Sequence, residues 1–402
     1  MLKSYRLLST SVSKRYFSAL NTGEYYMNLE HEHGCHNYGP VPVVLNKGLG
    51  CHVWNVEGQK FLDCISGYGA VGHGHCHPKI REAMIKQLEE LTLTGRCFYN
   101  DKLGPFQKYL TNLFKYDKVI LMNSGVEGGE TACKFARRWG YVSKGIAPDQ
   151  ARIVFAKKNF WGRTIAACGS SDDLGRYHNF GPYNMNFDLI DYNNLEVLEK
   201  YFQENPDCCA YMCEPIQGEA GVIIPDHGYL QGVRKLCDKY NVLWIDDEVQ
   251  SGMGRTGKML AVDHEDGARP DLLVLAKSLS AGYYPVSAVL ADNKVMDLIK
   301  PGDHGSTFGG NPVACVIAQV ACETLIEEGM IENSRIRGEY LLEGLKSIQP
   351  SWIKTIRGRG LWIALESEDD CKIVAKDLTK AMFEQGMLAY HAHKVNVRLS
   401  PP

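Results

Sequence analysis

Two charged groups at the ends of short apolar runs carry the chemical interest of this sequence. VLWI (242–245) ends in Asp246, Asp247 and Glu248, and LLVLA (272–276) ends in Lys277. Runs of that length bounded by turn residues suit buried parallel strands. In an open α/β sheet, ligands bind beyond the carboxyl ends of the strands. The layout therefore aims a carboxylate and an amine into one crevice. Desolvation lowers a lysine's pKa toward the nucleophilic free amine. A carboxylate paired with such a lysine suits pyridoxal 5′-phosphate (PLP): the lysine takes the cofactor covalently, and the carboxylate keeps the pyridine nitrogen protonated. The same residues also suit a buried structural Lys–Asp pair.

Three other stretches could serve that crevice. KVILM (118–122) runs into Asn123-Ser124-Gly125, and a helix is expected to open near Glu127. A Gly/Ser turn feeding a helix N-terminus cradles anions, because free N–H groups and the positive dipole end point outward. The sequence there is neither GxGxxG nor a Walker motif, so nucleotide binding is not implied. The strand ARIVFA (151–156) leads to Phe160-Trp161 and Arg163, where an aromatic could stack on a heteroaromatic ring or simply fill core. CCAYMCEPIQGEAG (208–221) reads as a strand ending in Glu214, Gln217 and Glu219. A fourth stretch, HGHCHPKI (73–80), places His73, His75, Cys76 and His77 together. Zinc sites normally draw on two separated clusters, and no second one is present, so no metal site is expected. Pro78 better opens a helix over 78–92, with apolar residues at Ile80, Met84, Leu88 and Leu91.

The elements that must position these groups alternate strand and helix, which predicts a mostly parallel sheet. WNVEGQKFLDCISGYG (54–69) reads as a hairpin turning at Glu57-Gly58. Helices are expected near 194–203, 228–240, 313–328 and 333–347, and strands at PVSAVLA (285–291) and RGRGLWIALE (357–366). The 402 residues suffice for one large domain and a smaller one, and 45% apolar with 23% charged residues is ordinary for a globular protein. A net charge of −3 without a basic block argues against nucleic acid, and the lack of any run of roughly 18 apolar residues argues against a membrane span. The 14 cysteines have no framework spacing. Several, including Cys133, Cys208, Cys213, Cys237, Cys315 and Cys322, sit in apolar segments as reduced buried thiols would. The first nineteen residues hold Lys3, Arg6, Lys14, Arg15, five serines and no acid, the composition of a mitochondrial transit peptide.

From about residue 25 onward the chain resembles the class III, fold-type I PLP-dependent aminotransferases. The resemblance rests on HNYGPVPV, GYGAV, GHCHPKI, NSGVEGGETACKFARRWGY, NFWGRT, EPIQGEAGV, DDEVQSGMGRTG, LAKSLSAGYYPVSAVLAD and GDHGSTFGGNP. It implies an α/β fold with a mostly parallel central sheet in a large PLP-binding domain (76–310). A smaller α+β domain would form from the N-terminal segment (20–75) and the C-terminal segment (311–402), with 1–19 as the transit peptide. The HCHP run becomes a structural loop.

The same resemblance implies roles. Lys277 is similar to the lysine that carries the cofactor and shuttles the substrate proton, and Asp247 to the partner of the pyridine nitrogen. Gln250 resembles the contact to the ring hydroxyl, Gly125 and Val126 the phosphate cradle, and Phe160 the residue stacked on the ring. Ser306 and Thr307 resemble phosphate contacts donated across a homodimer interface. Tyr38, Tyr68, Trp161 and Arg163 resemble the substrate pocket. Arg163 and Arg398 resemble two carboxylate clamps, and Glu219 the residue that masks Arg398. The implied reaction moves the δ-amino group of L-ornithine to 2-oxoglutarate, giving L-glutamate and a semialdehyde by a ping-pong scheme in the mitochondrial matrix. Alternatives are a related ω-aminotransferase acting on N-acetylornithine or 4-aminobutyrate, and an impaired truncated homologue acting as an interaction protein. Departures at Ser124, Gly129, Ser278, Ala281 and Tyr283 are read as neutral. The family's fold continues past Pro402 with a further strand and helix, so the small domain is expected to be truncated, with Arg398 close to the end of the chain.

Overall fold

The computed structural model describes residues 22–368, 375–392 and 396–402. The expected transit peptide lies outside them. After a helix at Gly23–His33 come three short strands, β1 (Leu45–Leu49), β2 (His52–Asn55) and β3 (Lys60–Asp63). The turn between β2 and β3 is the expected one, with Gly58 at φ +85°. Seven strands then build the centre: β4 (Lys118–Met122), β5 (Arg152–Ala156), β6 (Phe187–Ile190), β7 (Cys208–Cys213), β8 (Leu243–Asp247), β9 (Leu272–Leu275) and β10 (Ser287–Ala291). The C-terminal part adds β11 (Ile353–Gly358), β12 (Ile363–Ser367), β13 (Met387–Leu388), β14 (Tyr390–Ala392) and β15 (Asn396–Leu399).

The central order is β4-β10-β9-β8-β7-β5-β6. Strands β6, β5, β7, β8 and β9 are mutually parallel, and β10 runs antiparallel between β9 and β4. Strands β7, β8 and β9 are buried at every residue, as sheets covered on both faces require. Trp244 packs into one apolar layer with Phe106 and Leu273, and Ile245 into the other with Phe135 and Val274. Strand alternation therefore turns Asp246 and Asp247 to opposite faces.

Two smaller sheets flank this core. One runs β1-β2-β3-β13, so that β13 from the C-terminal part extends the N-terminal hairpin in parallel; the other is β11-β12-β15-β14. Hydrogen bonds sew the two ends together: Ser66 Oγ donates to the Ser400 carbonyl at 2.6 Å, and the Ser400 N–H to the Cys64 carbonyl at 2.8 Å.

Three sequence expectations change. RGRGLWIALE is not one strand but the closing half of a hairpin, because Gly360 turns at φ +55° between β11 and β12. A Cβ at Gly360 would also meet the Arg255 carbonyl at 2.5 Å. The helix expected over 78–92 spans Pro78–Glu90, and of its apolar stripe Ile80 is buried while Leu88 and the following Leu91 are exposed. The helix expected at Glu127 starts at Gly125, because Ser124 and Glu127 cap each other's backbone reciprocally. The six cysteines placed in apolar segments are all buried and free.

Asp246 is fully buried, and among the described residues neither carboxylate oxygen has a hydrogen-bond partner. Burial, then Glu248 and Asp247, push its pKa well above the ordinary value. The folded state thus holds a proton that the unfolded chain releases near pH 4, so stability falls as pH rises above that point. Asp246→Ala should raise stability at pH 7–8 by about 1–3 kcal/mol, the usual cost of an unsatisfied buried polar group. The gain should shrink in denaturation curves recorded near pH 4, where the unfolded chain keeps the proton as well.

Candidate active site

Strands β8 and β9 are parallel neighbours, with Asp247 in register with Val274. Their carboxyl ends deliver Asp247 and, two residues beyond β9, Lys277. Lys277 takes φ +47°, a left-handed conformation uncommon for a non-glycine residue and concentrated at functional sites. Asp247 Oδ1 accepts from the Val249 N–H at 3.1 Å. Burial raises Asp247 to about 6, against the Val249 N–H and Lys277, which lower it. Desolvation lowers Lys277, against Asp247, Glu219 and Glu214. Both shifts come from dehydration of charges that hold each other partly in check.

The anion cradle lies against the same strand ends. A Cβ at Gly125 would fall 2.9 Å from a Val249 methyl and 3.7 Å from the Ala276 Cβ, so the glycine lets this helix N-terminus seat on the Asp247 and Lys277 loops. Within the described residues the N–H groups of Gly125 and Val126 have no partner, while Ser124 Oγ satisfies Glu127. Asn123 Nδ2 donates to Ser306 Oγ at 2.9 Å, and Thr307 beside it is exposed. An amine, a buried carboxylate and two unpaired amides at a helix N-terminus match the three ends of PLP, so the residues present fit that cofactor.

A second group of side chains flanks Lys277. Arg398, buried in β15, lies with Nη1 2.8 Å from Glu219 Oε1, but Nη1 and Nε lack hydrogen-bond alignment to any described group. The Arg398 guanidinium also stands 5.9 Å from the Tyr390 ring, and the Tyr68 and Tyr390 rings meet edge to face at 5.4 Å. Burial raises the Tyr68 phenol, with Tyr390, Tyr38 and Glu219 adding to the rise. Tyr38 itself is 62% exposed. Gln250 Nε2 donates to the Tyr68 carbonyl at 3.1 Å, and a Cβ at Gly218 would fall 1.9 Å from Gln250 Oε1. Tyr38, Tyr68, Glu219, Gln250, Lys277, Asp247 and Arg398 are thus one neighbourhood.

Trp161 does not join it. Its indole is buried, stacks on Phe155 at 5.7 Å and donates from Nε1 to Ser170 Oγ at 2.7 Å, and Gly129 exists to admit it. The indole that the resemblance sets at the substrate pocket is thus held by core packing. Its neighbour Phe160 is half-buried with Arg163 and Arg176 at 5.7 and 4.7 Å from its ring, and Arg163 is exposed. The three histidines of the HCHP run point three ways: His73 to the Ala321 carbonyl, His75 to Asp63 and His77 to Glu328.

Tyr390 has no sequence motif to mark it. Glu214, which the sequence places at the end of an apolar strand just as it does Asp247, receives no role there. It is buried, and burial and Asp247 push it up to about 8.

The family described as aminotransferase class-III matches residues 34–402. The chain is 51% identical over 373 residues to the mitochondrial ornithine aminotransferase of Drosophila melanogaster, covering 93% of this chain and 86% of that protein. The solved ornithine aminotransferase of Toxoplasma gondii superposes with a TM-score of 0.93 at 43% identity, over 98% of this chain and 94% of that one. An acetylornithine aminotransferase from Elizabethkingia anophelis gives 0.85 at 44% identity, over 94% of each chain. A mostly parallel sheet that delivers a buried carboxylate and a lysine side by side defines a PLP-dependent transferase of fold type I. Within that class, this chain belongs to the class-III aminotransferases.

Trp161→Ala should cost about 3–5 kcal/mol of stability, as large-to-small core changes do. The folded fraction should keep its ratio of activities on alternative amine donors, measured by initial rates at a temperature well below unfolding.

Proposed function

We propose that the enzyme moves the δ-amino group of L-ornithine to 2-oxoglutarate in two half-reactions, releasing glutamate 5-semialdehyde and then L-glutamate. The names of the curated relatives, ornithine aminotransferases at about half identity over most of this chain, favour this over N-acetylornithine. PLP, when bound, supplies the electron-accepting ring and the carrier for the amino group. In this reading Lys277 Nζ holds the cofactor covalently and moves the proton at the substrate's reacting carbon. Asp247 keeps the ring nitrogen protonated, Gln250 meets the ring hydroxyl, and Phe160 covers the ring face. The amides of Gly125 and Val126 hold the phosphate. Tyr38 and Tyr68 bind the polar α-end of ornithine. Arg163 and Arg398 are the carboxylate clamps, planar forks suited to bidentate pairing.

The observation that carries the reading is the Glu219–Arg398 ion pair next to Lys277. Glutamate reacts through its α-amine, so its α-carboxylate lies beside the reacting carbon and needs a cation. Ornithine reacts at its δ-carbon, where no carboxylate is present. Leaving Arg398 buried and unpaired there would cost on the order of 3–5 kcal/mol. Glu219 on Arg398 removes that cost, and its departure admits glutamate.

Ser306 and Thr307 are proposed to reach the phosphate of a second copy across a homodimer interface. Exposed Tyr99 (98%), Phe98 and Phe308 support an apolar contact face. The basic, acid-free N-terminus and the mitochondrial relatives support a place in the mitochondrial matrix.

Two measurements test the assignment. Borohydride treatment of the yellow holoenzyme should fix the cofactor to the peptide containing Lys277; label on Lys258 or Lys294 instead would refute it. In stopped-flow half-reactions, Glu219→Ala should slow ornithine by roughly tenfold or more while slowing glutamate little, each tenfold being about 1.4 kcal/mol. It should also raise transfer from ornithine's α-amine. Equal slowing of both half-reactions would remove the gate.

A further inference from the structure

Glu214 is a buried carboxyl near the site for which the reaction scheme has no use. It follows β7 immediately, is 6% exposed, and makes no ion pair among the described residues. Its two oxygens take two backbone amides: Oε1 accepts from the Phe160 N–H at 3.0 Å, and Oε2 from the Gly218 N–H at 3.0 Å. These amides belong to separate segments. One carries the Phe160 ring. The other opens the turn that bears Glu219, where the Gly221 and Val222 N–H groups both fold back on the Gly218 carbonyl at 3.0 and 3.2 Å. Gly218 is therefore the fixed point from which Glu219 reaches Arg398, and it lies flush against Gln250.

We infer that Glu214 is a positioning residue for substrate selection: by anchoring the Gly218 amide it sets where Glu219 stands, and so how long Glu219 remains on Arg398. Glu214 touches no substrate in this account; it acts through Glu219. The inference rests on the gate reading given above.

A glutamine at 214 keeps the shape but offers one acceptor and one NH2, so one amide must face a donor. An aspartate keeps the carboxyl but withdraws both oxygens by one methylene. Holoenzymes carrying Glu214→Gln and Glu214→Asp are compared with wild type and with Glu219→Ala in both half-reactions. Each Glu214 variant should slow the ornithine half-reaction by about tenfold, with the glutamate half-reaction changed less than about threefold. The double variant Glu214→Gln/Glu219→Ala should be no slower with ornithine than Glu219→Ala alone, since residues acting through one another are not additive. Amide exchange of the 214–223 peptide in cofactor-free Glu214→Gln protein should rise about tenfold, while peptides of β8 and β9 stay unchanged. Additive losses in the double variant, equal slowing of both half-reactions, unchanged exchange at 214–223, or wild-type behaviour of Glu214→Asp would each overturn the inference. If Glu219→Ala itself fails to separate the half-reactions, the gate reading has failed. If it separates them and the Glu214 variants do not, only the anchoring role has failed.

Discussion

The whole arrangement depends on keeping a carboxylate and an amine dry beside each other. An isolated ion moved out of water loses several kcal/mol even after relaxation, so neither Asp247 nor Lys277 could sit there alone. Their shifts show the strain on both sides: Asp247 rises to about 6, and Lys277 falls. Parallel strands are the natural way to meet this constraint. They bring two carboxyl ends to one level and bury the approach to each, so the charges emerge only where the apolar runs stop. The left-handed turn at Lys277 redirects the chain at that point, and the glycine at 125 lets an anion cradle close on the same spot.

A second layer of charge surrounds this pair. Arg398 and Glu219 act on Lys277 with opposite sign, and burial, with Asp247 adding to it, raises Glu214 to about 8. In the proposed gate, Glu219 masks Arg398 while a diamine is bound and frees it to answer the carboxylate of an amino-acid substrate. A pocket of this kind separates its substrates by which charge it must expose. Shape alone would discriminate weakly between flexible chains of similar length.

Much of this was legible in the sequence because its signals are short-range. The runs VLWI and LLVLA read as buried strands from length and bounding residues alone, while the pairing of Asp247 with Lys277 at one crevice stays open to a structural reading until the family motifs are added. Phe160 and Trp161 were harder. Adjacent aromatics on a loop lack the alternation that sorts strand residues, so which one fills core depends on a gap opened by Gly129, thirty-two positions away. The hairpin hidden in RGRGLWIALE failed for a related reason: its break is imposed by the Arg255 segment packing against Gly360. Leu88 and Leu91 kept helical spacing yet face outward, since spacing cannot say whether a stripe meets its own core or another chain.

The stitching of the loop around Tyr68 to the last strand has a consequence for biosynthesis. Ser66 and Ser400 are bonded across 334 positions, and Arg398 is held by neighbours on both sides in its sheet. The seven central strands, by contrast, close within residues 118–291. A chain leaving the ribosome can therefore assemble the Asp247–Lys277 crevice well before Arg398 exists to line it. Long-range closures of this kind come late and slowly. The nascent protein gains its cofactor chemistry before its discrimination, and the interval between the two is set by translation and docking of the segment that follows Ala291.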